Sequence, residues 1–239
     1  MRRLDLKALR DIRHMRGQAI AVVVIVACGI ASFVAMRSMV PHLTEAQSTF
    51  YITSRFPHVW ANVKRAPLRV AEEIAMLPGV ARLEARVAGE VVVDVPGLTE
   101  PATARVVGVP TTRAPNVSVP IIRSGRALAP RSSDEVLVSE SFAEANRLAP
   151  GDSIGAIVNG VWKRFRIVGI ALSPEHVIEM RAGDLFPDNQ RYGILWIDAD
   201  AAASAFGMRG AWNEIAIQVA TGASRHELIA RLDEILRPY

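Results

Sequence analysis

Residues 19–36 read AIAVVVIVACGIASFVAM, eighteen positions without a charge and interrupted only by Gly29 and Ser32. An α-helix of that length rises about 27 Å, close to the hydrocarbon thickness of a bilayer. The pattern predicts one transmembrane helix over 18–40. Just upstream, Leu4, Ala8, Leu9, Ile12 and Met15 share one side of a helix, with Arg3, Lys7, Arg10 and Arg13 largely opposite. That predicts a basic amphipathic segment over 1–17, lying on the cytoplasmic surface before the chain turns at Gly17.

After the apolar block the periodicity changes. Residues 40–56 are loosely helical, an extension of the membrane helix broken at Pro41. A short strand is expected over 58–63, then a helix opened by Pro67 and ended by Pro78-Gly79, with Leu68, Ala71, Ile74 and Ala75 as its buried stripe. Residues 80–87 alternate, Leu83, Ala85 and Val87 against Arg82, Glu84 and Arg86, as a half-buried strand does. Strands over 90–95 and 103–109 complete a β-α-β-β-β order.

A second region follows. A strand over 135–139 and a short helix over 140–148 lead to the turn Pro150-Gly151-Asp152. A hairpin over 153–158 and 161–170 is then signalled by Asn159-Gly160. Residues 173–192 lack periodicity and carry Pro174, Gly183 and Pro187; an aperiodic run of about twenty residues in a compact domain is often functional. Glu175, Glu179, Asp184, Phe186 and Asp188 are its candidate contact residues; an ordinary solvated surface loop gives the same pattern. The chain closes with strands over 194–197 and 214–219, a helix over 200–206 between them, and a last helix. That helix has the capping box Ser224 with Glu227, the stripe Leu228, Leu232, Ile235 and Leu236, and Pro238 as its stop.

The expected fold is therefore α+β. One N-terminal transmembrane helix precedes a split βαβ subdomain over 41–115 and 193–239, with a β-rich subdomain over 116–192 inserted between the halves.

Charge adds orientation. The formal net charge is +4, and residues 1–16, with six basic and two acidic groups, account for all of it. The basic character belongs to the leader, which argues against nucleic acid as partner. Bases ahead of an apolar span hold that end inside, so the N-terminus is expected in the cytoplasm of an inner (plasma) membrane and the main domain outside. The single cysteine, Cys28, excludes an intramolecular disulfide or a Cys-based zinc cluster. Ile25-Val26-Ala27-Cys28 also fits a lipoprotein signal anchored at Cys28, and Ala27-Cys28-Gly29 a cleaved signal peptide. The eight apolar or small residues after Cys28 favour an uncleaved helix. Ala27, Ala31 and Ala35 recur on one face and form a candidate helix-packing seam; a chain rich in alanine gives the same spacing by composition.

No catalytic constellation emerges. The five histidines stand apart, without HExxH spacing, and neither a GxSxG elbow nor a P-loop is present. The glycines of 151–155 serve a hairpin. Asp134-Glu135 and Glu72-Glu73 are adjacent pairs whose side chains diverge and are expected on a solvated surface, and Asn116-Val117-Ser118 fits a glycosylation sequon. The chain is expected to be no enzyme, to hold no metal or cofactor and to bind no ATP itself.

The start KALRDIRHMRGQAI (7–20) resembles the basic entry into the first membrane helix of FtsX-like/MacB-like ABC transporter permeases. DEVLVSESFAEANRLAPGDSI (134–154), followed by FRIVGIA (165–171), is similar to the most recognisable stretch of their periplasmic core. The resemblance implies a porter-like α/β part interrupted by a sabre-like β-rich part, in a dimeric permease driven by a separate cytoplasmic ATPase. Helix motion would be transmitted to the outer domain, with export or extraction of an envelope substrate at the periplasmic face. The implied partners are that ATPase, a second permease copy, further membrane helices, membrane lipid and a periplasmic protein. Such permeases carry at least three more membrane helices after the outer domain, and a chain ending at Tyr239 is expected to lack them. The alternative is a free-standing membrane-anchored adaptor or binding module. The residues do not name a substrate.

Overall fold

The structure, a computed structural model, describes residues 16–181 and 183–239; the amphipathic segment expected at the N-terminus thus falls, up to residue 15, outside the described residues. The chain divides into two compact units, Met1–Phe50 and Tyr51–Tyr239.

Helix α1, Arg16–Thr53, carries the apolar block. Among the described residues it is the one helix long and apolar enough to cross a membrane, over Arg16–Arg37. Every side chain from 20 to 37 is exposed, and Cys28 lies among them. The break expected at Pro41 does not occur. Proline deletes one ladder hydrogen bond, and intact helical turns on both sides hold the helix across it.

The second unit contains two sheets. Three antiparallel strands, β1 (Val59–Pro67), β10 (Ala211–Val219) and β2 (Val80–Arg86), form the first, with β10 in the middle. Helices α2 (Leu68–Ala75) and α5 (Arg225–Leu236) supply its core through Val70, Ala71, Ile74, Leu228, Leu232 and Leu236, packed with Trp212, Ile215 and Ile217. The Trp212 indole N–H donates to the Pro67 carbonyl at 3.1 Å. At the start of α5 the Ser224 hydroxyl accepts from the Glu227 amide, as its capping box predicts. Leu68 and Ala75, expected in the buried stripe of α2, are exposed, and Val70 joins Ala71 and Ile74 in the core.

The other strands form one seven-stranded sheet in the order β5-β8-β6-β9-β4-β3-β7, and β7 pairs back onto β8. These are β3 (Ala88–Asp94), β4 (Ala102–Val109), β5 (Ile121–Gly125), β6 (Glu135–Ser139), β7 (Ser153–Val158), β8 (Val161–Leu172) and β9 (Tyr192–Asp198). The twelve-residue β8 makes closure possible: its first part pairs with β7, and its second part runs between β6 and β5. Asn159 (φ 49°) and Gly160 (φ 77°) turn the β7–β8 hairpin as the sequence signal predicts. Short helices α3 (Glu140–Asn146) and α4 (Ala199–Ala205) follow β6 and β9. The Phe142 ring of α3 packs where a Cβ on Gly193 would stand, so glycine is required there.

The sheets divide the chain elsewhere than at 115/116 and 192/193. The crossings fall at Val87, the single residue between β2 and β3, and at 206–210, between α4 and β10. β4 and β9, expected with the α/β halves, pair in parallel from Thr103↔Tyr192 to Val109↔Asp198 inside the seven-stranded sheet. The physical reason is double burial. All seven β9 residues are buried, as are Val106 and Val107 on opposite faces of β4, which suits inner strands covered on both sides.

Candidate functional site

Charged groups collect where β2 and β10 face the larger sheet. Arg86 of β2, Glu214 of β10 and Glu175, in the 3-10 turn Pro174–His176, each have side chains about 95% buried. The Arg86 guanidinium donates to Glu214 at 2.6 Å and to Glu175 at 2.5 Å. Arg105 of β4 donates to the other Glu214 oxygen, and the Ser118 hydroxyl donates to Glu175. Burial by itself lowers the Arg86 pKa; the two carboxylates outweigh it and raise the pKa above the ordinary arginine value. Beside this chain, Asn213 of β10 brackets Ala88, accepting from its N–H at 2.9 Å and donating to its carbonyl at 2.6 Å. The bracket lies one residue beyond the Val87 crossing. Glu84 takes both Arg113 nitrogens, at 2.5 and 3.0 Å, and the Asn116 amide.

The seam ties β2 and β10 to β4, to the 3-10 turn and to the 110–118 loop. Glu84 and Arg86 lie on the charged side of an alternating strand, and that side is covered by the 110–118 loop, the 3-10 turn and Arg105 of β4. Glu214 is the signal that could have found the seam: a carboxylate amid the apolar run of a central strand needs a partner.

From the seam, residues 173–181 run as a strap. The His176 imidazole packs edge-on to Trp196 at 6.2 Å and its Nδ1 has no hydrogen-bond partner among the described residues. Burial, with Arg86 and Arg105 nearby, drops its pKa to about 3, so the ring is neutral. Glu179, 3% exposed, accepts from the Ser139 hydroxyl at 2.6 Å, and that oxygen accepts from the Ile194 amide at 3.0 Å.

Of the five expected contact residues, Glu175 and Glu179 are turned inward. Asp184 pairs with Arg181 at 3.6 Å, Phe186 is exposed, and Asp188 accepts from the Gln190 and Arg191 amides. These three line an open cavity of about 800 Å³ with Leu185, Arg191 and Tyr192. The buried pair fails as a contact surface because ion pairing and hydroxyl bonding already consume both carboxylates. Ala27, Ala31 and Ala35 lie on α1, apart from this site in sequence. No group of three or more His, Cys, Asp and Glu able to hold a metal occurs among the described residues.

Residues 17–235 match the family of the MacB-like periplasmic core domain. The chain belongs to that family. Curated proteins give no match. Among solved structures, the extracellular domain of the ABC-type transporter YknZ from Gram-positive bacteria is similar at 13% identity, over 73% of this chain and 82% of that one, with a TM-score of 0.46. The periplasmic region of MacB from Actinobacillus actinomycetemcomitans is similar at 15% identity, over 76% and 75%, also at 0.46. In this MacB-like core domain the stretch 134–171 becomes β6, α3, a Gly151-Asp152 turn and the β7–β8 hairpin. Its Glu135 accepts from Arg126 at 2.5 and 2.9 Å and from Arg166 at 3.0 Å. The Arg126 bonds, aided by the Ala129 amide, hold that carboxyl down at about 2 against its burial.

Proposed function

We propose that the chain is the N-terminal part of an ABC transporter permease. Its core domain receives motion generated by a separate cytoplasmic ATPase and applies it to an envelope substrate. The observation that carries this reading is the family match, which runs from the apolar helix to the last helix of the core domain. The seam supports it physically. A domain that transmits force needs its parts to resist separation, and buried, mutually satisfied charges across two sheets supply that resistance. The apolar side chains of α1, exposed from 20 to 37, fit a helix solvated by lipid. The N-terminus is cytoplasmic on this reading, the core domain periplasmic, and Ala27, Ala31 and Ala35 pack against another membrane helix. A second permease copy and further membrane helices complete the machine. The chain itself binds no ATP and catalyses no reaction.

The test is affinity purification of the full chain from its native membranes under mild detergent. An ABC ATPase in the eluate supports the reading. An envelope protein recovered without any ATPase sinks it in favour of the membrane-anchored adaptor, and acylated Cys28 at a new N-terminus does so in favour of a lipoprotein. Topology is checked separately with Cys28→Ser variants carrying one cysteine at Arg3 or Arg225: an impermeant maleimide should label only the second in intact cells.

A further inference from the structure

Residues 177–180 invert the usual rule. Val177, Ile178 and Met180 are 56%, 72% and 44% exposed, while the one charged residue among them, Glu179, is 3% exposed. Exposed apolar groups and a buried carboxyl both cost free energy, so something must hold the segment down. At the near end it is Glu175, compensated by the Arg86 charge. At Glu179 it is hydroxyls alone, Ser139 and Ser141; among the described residues no Arg or Lys stands within ion-pair distance of Glu179.

Tyr192 of β9 faces Glu179, its own pKa raised by burial and by the acidic Glu90 of β3 and Glu179. Arg105 of β4 is engaged by Glu214, and Arg181 of the strap by Asp184. His176 is neutral throughout the physiological range, and Glu175 is paired. Among the described residues no cationic partner pairs with Glu179.

We propose that residues 177–181 form a proton-operated strap, seated on β6 and β9 while the Glu179 carboxyl is protonated and released when its proton leaves. The turn Pro174–His176, fixed by Glu175, is the pivot. Release hydrates the carboxylate and frees Val177, Ile178 and Met180 to cover a different surface.

Burial, opposed by the two serine hydroxyls, lifts the seated Glu179 carboxyl from 4.5 to about 7. The seated form binds the proton more tightly than the released form. Its stability is therefore fully present below 4.5 and is lost as pH rises through 7. The inference concerns this domain's own chemistry and stands apart from the transporter reading.

The experiment uses the full chain in nanodiscs with Cys28→Ser and a spin label on Ile178→Cys, scanned from pH 5.5 to 8.5. The mobile spectral component should grow several-fold with a midpoint near 7. Glu179→Gln, which keeps the acceptor and cannot ionise, should stay in the immobile state throughout. Ser139→Ala, which removes a donor to the ionised form, should move the midpoint to higher pH. A Glu179→Gln profile that still tracks pH like the parent, or a parent profile without a transition, overturns the proposal. Should Glu179→Gln fail to fold by circular dichroism, the Ser139→Ala midpoint decides, and an unshifted midpoint counts against the strap.

Discussion

Glu175 and Glu179 lie four residues apart, are both buried, and answer the same problem in opposite ways. Glu175 keeps its charge and recruits Arg86 and the Ser118 hydroxyl, inside a chain of ions that runs on to Glu214 and Arg105. Among the described residues Glu179 has only hydroxyl partners, and burial raises its pKa to about 7. The difference shows what each end of the strap is built for. A buried ion pair is held by two opposite charges that lie against each other. A buried acid held by neutral donors has a stability that depends on one proton.

The sharpest way to break this contrast is Arg86→Met. It leaves Glu175 and Glu214 buried without their common cation, a defect that costs about 3–5 kcal/mol. The melting temperature should fall by about 6–20 °C for a domain of this size, read by circular dichroism. A fall of only a degree or two would show that the seam is not an energetic joint. Next come the glutamates themselves. Glu175→Gln removes a charge-assisted bond to Arg86 and should destabilise by about 1.5–3 kcal/mol at every pH from 6 to 8. Glu179→Gln should instead stabilise, and by more at pH 8 than at pH 6, because the penalty it removes grows as the pH rises from 4.5 through 7. Parallel urea titrations of both variants at the two pH values check this, and equal pH responses would erase the distinction.

Asn213→Ala probes the seam without touching an ion. It removes both bonds to the Ala88 backbone beside the Val87 crossing, for a loss of about 1–3 kcal/mol. Hydrogen exchange should quicken first at the Ala88 amide. Exchange that quickens uniformly instead would assign Asn213 no special place at the crossing.

Much of this was legible in the chain because it rests on local chemistry. The Asn159-Gly160 turn, the Ser224 cap and the apolar block each depend on residues within one turn or one run of sequence. The seam was not legible, because Arg86, Arg105, Glu175 and Glu214 come from four distant stretches and alternation alone cannot reveal which faces a second layer covers. Alternation correctly placed Glu84 and Arg86 on one side of β2 but took that side for solvent. The sheet boundary was misplaced for a related reason. A strand buried on both faces, such as β9, shows no alternation and gives no hint of its partner. The strap was recognised as an aperiodic segment with chemistry in it, yet sequence could not tell that two of its carboxylates point inward.

The smallest expected effect lies at Glu135, which separates ion pairing at the seam from ion pairing at the surface. Its carboxyl is buried, like Glu175, but its partners Arg126 and Arg166 are 52% and 55% exposed, so water screens the pairs. The folded-state pKa of about 2 lies below the ordinary 4.5. The stability that this group contributes is therefore fully present above pH 4.5 and disappears as the pH falls through 2. Glu135→Gln should lower the melting temperature at pH 7 by much less than Arg86→Met does, and flatten its decline between pH 4.5 and 2. The strap predicts a loss as the pH rises from 4.5 through 7, so the two variants should alter opposite limbs of one curve. If Glu135→Gln instead costs as much at pH 7 as Arg86→Met, exposure of the cationic partner does not govern these pairs, and the contrast between seam and surface fails.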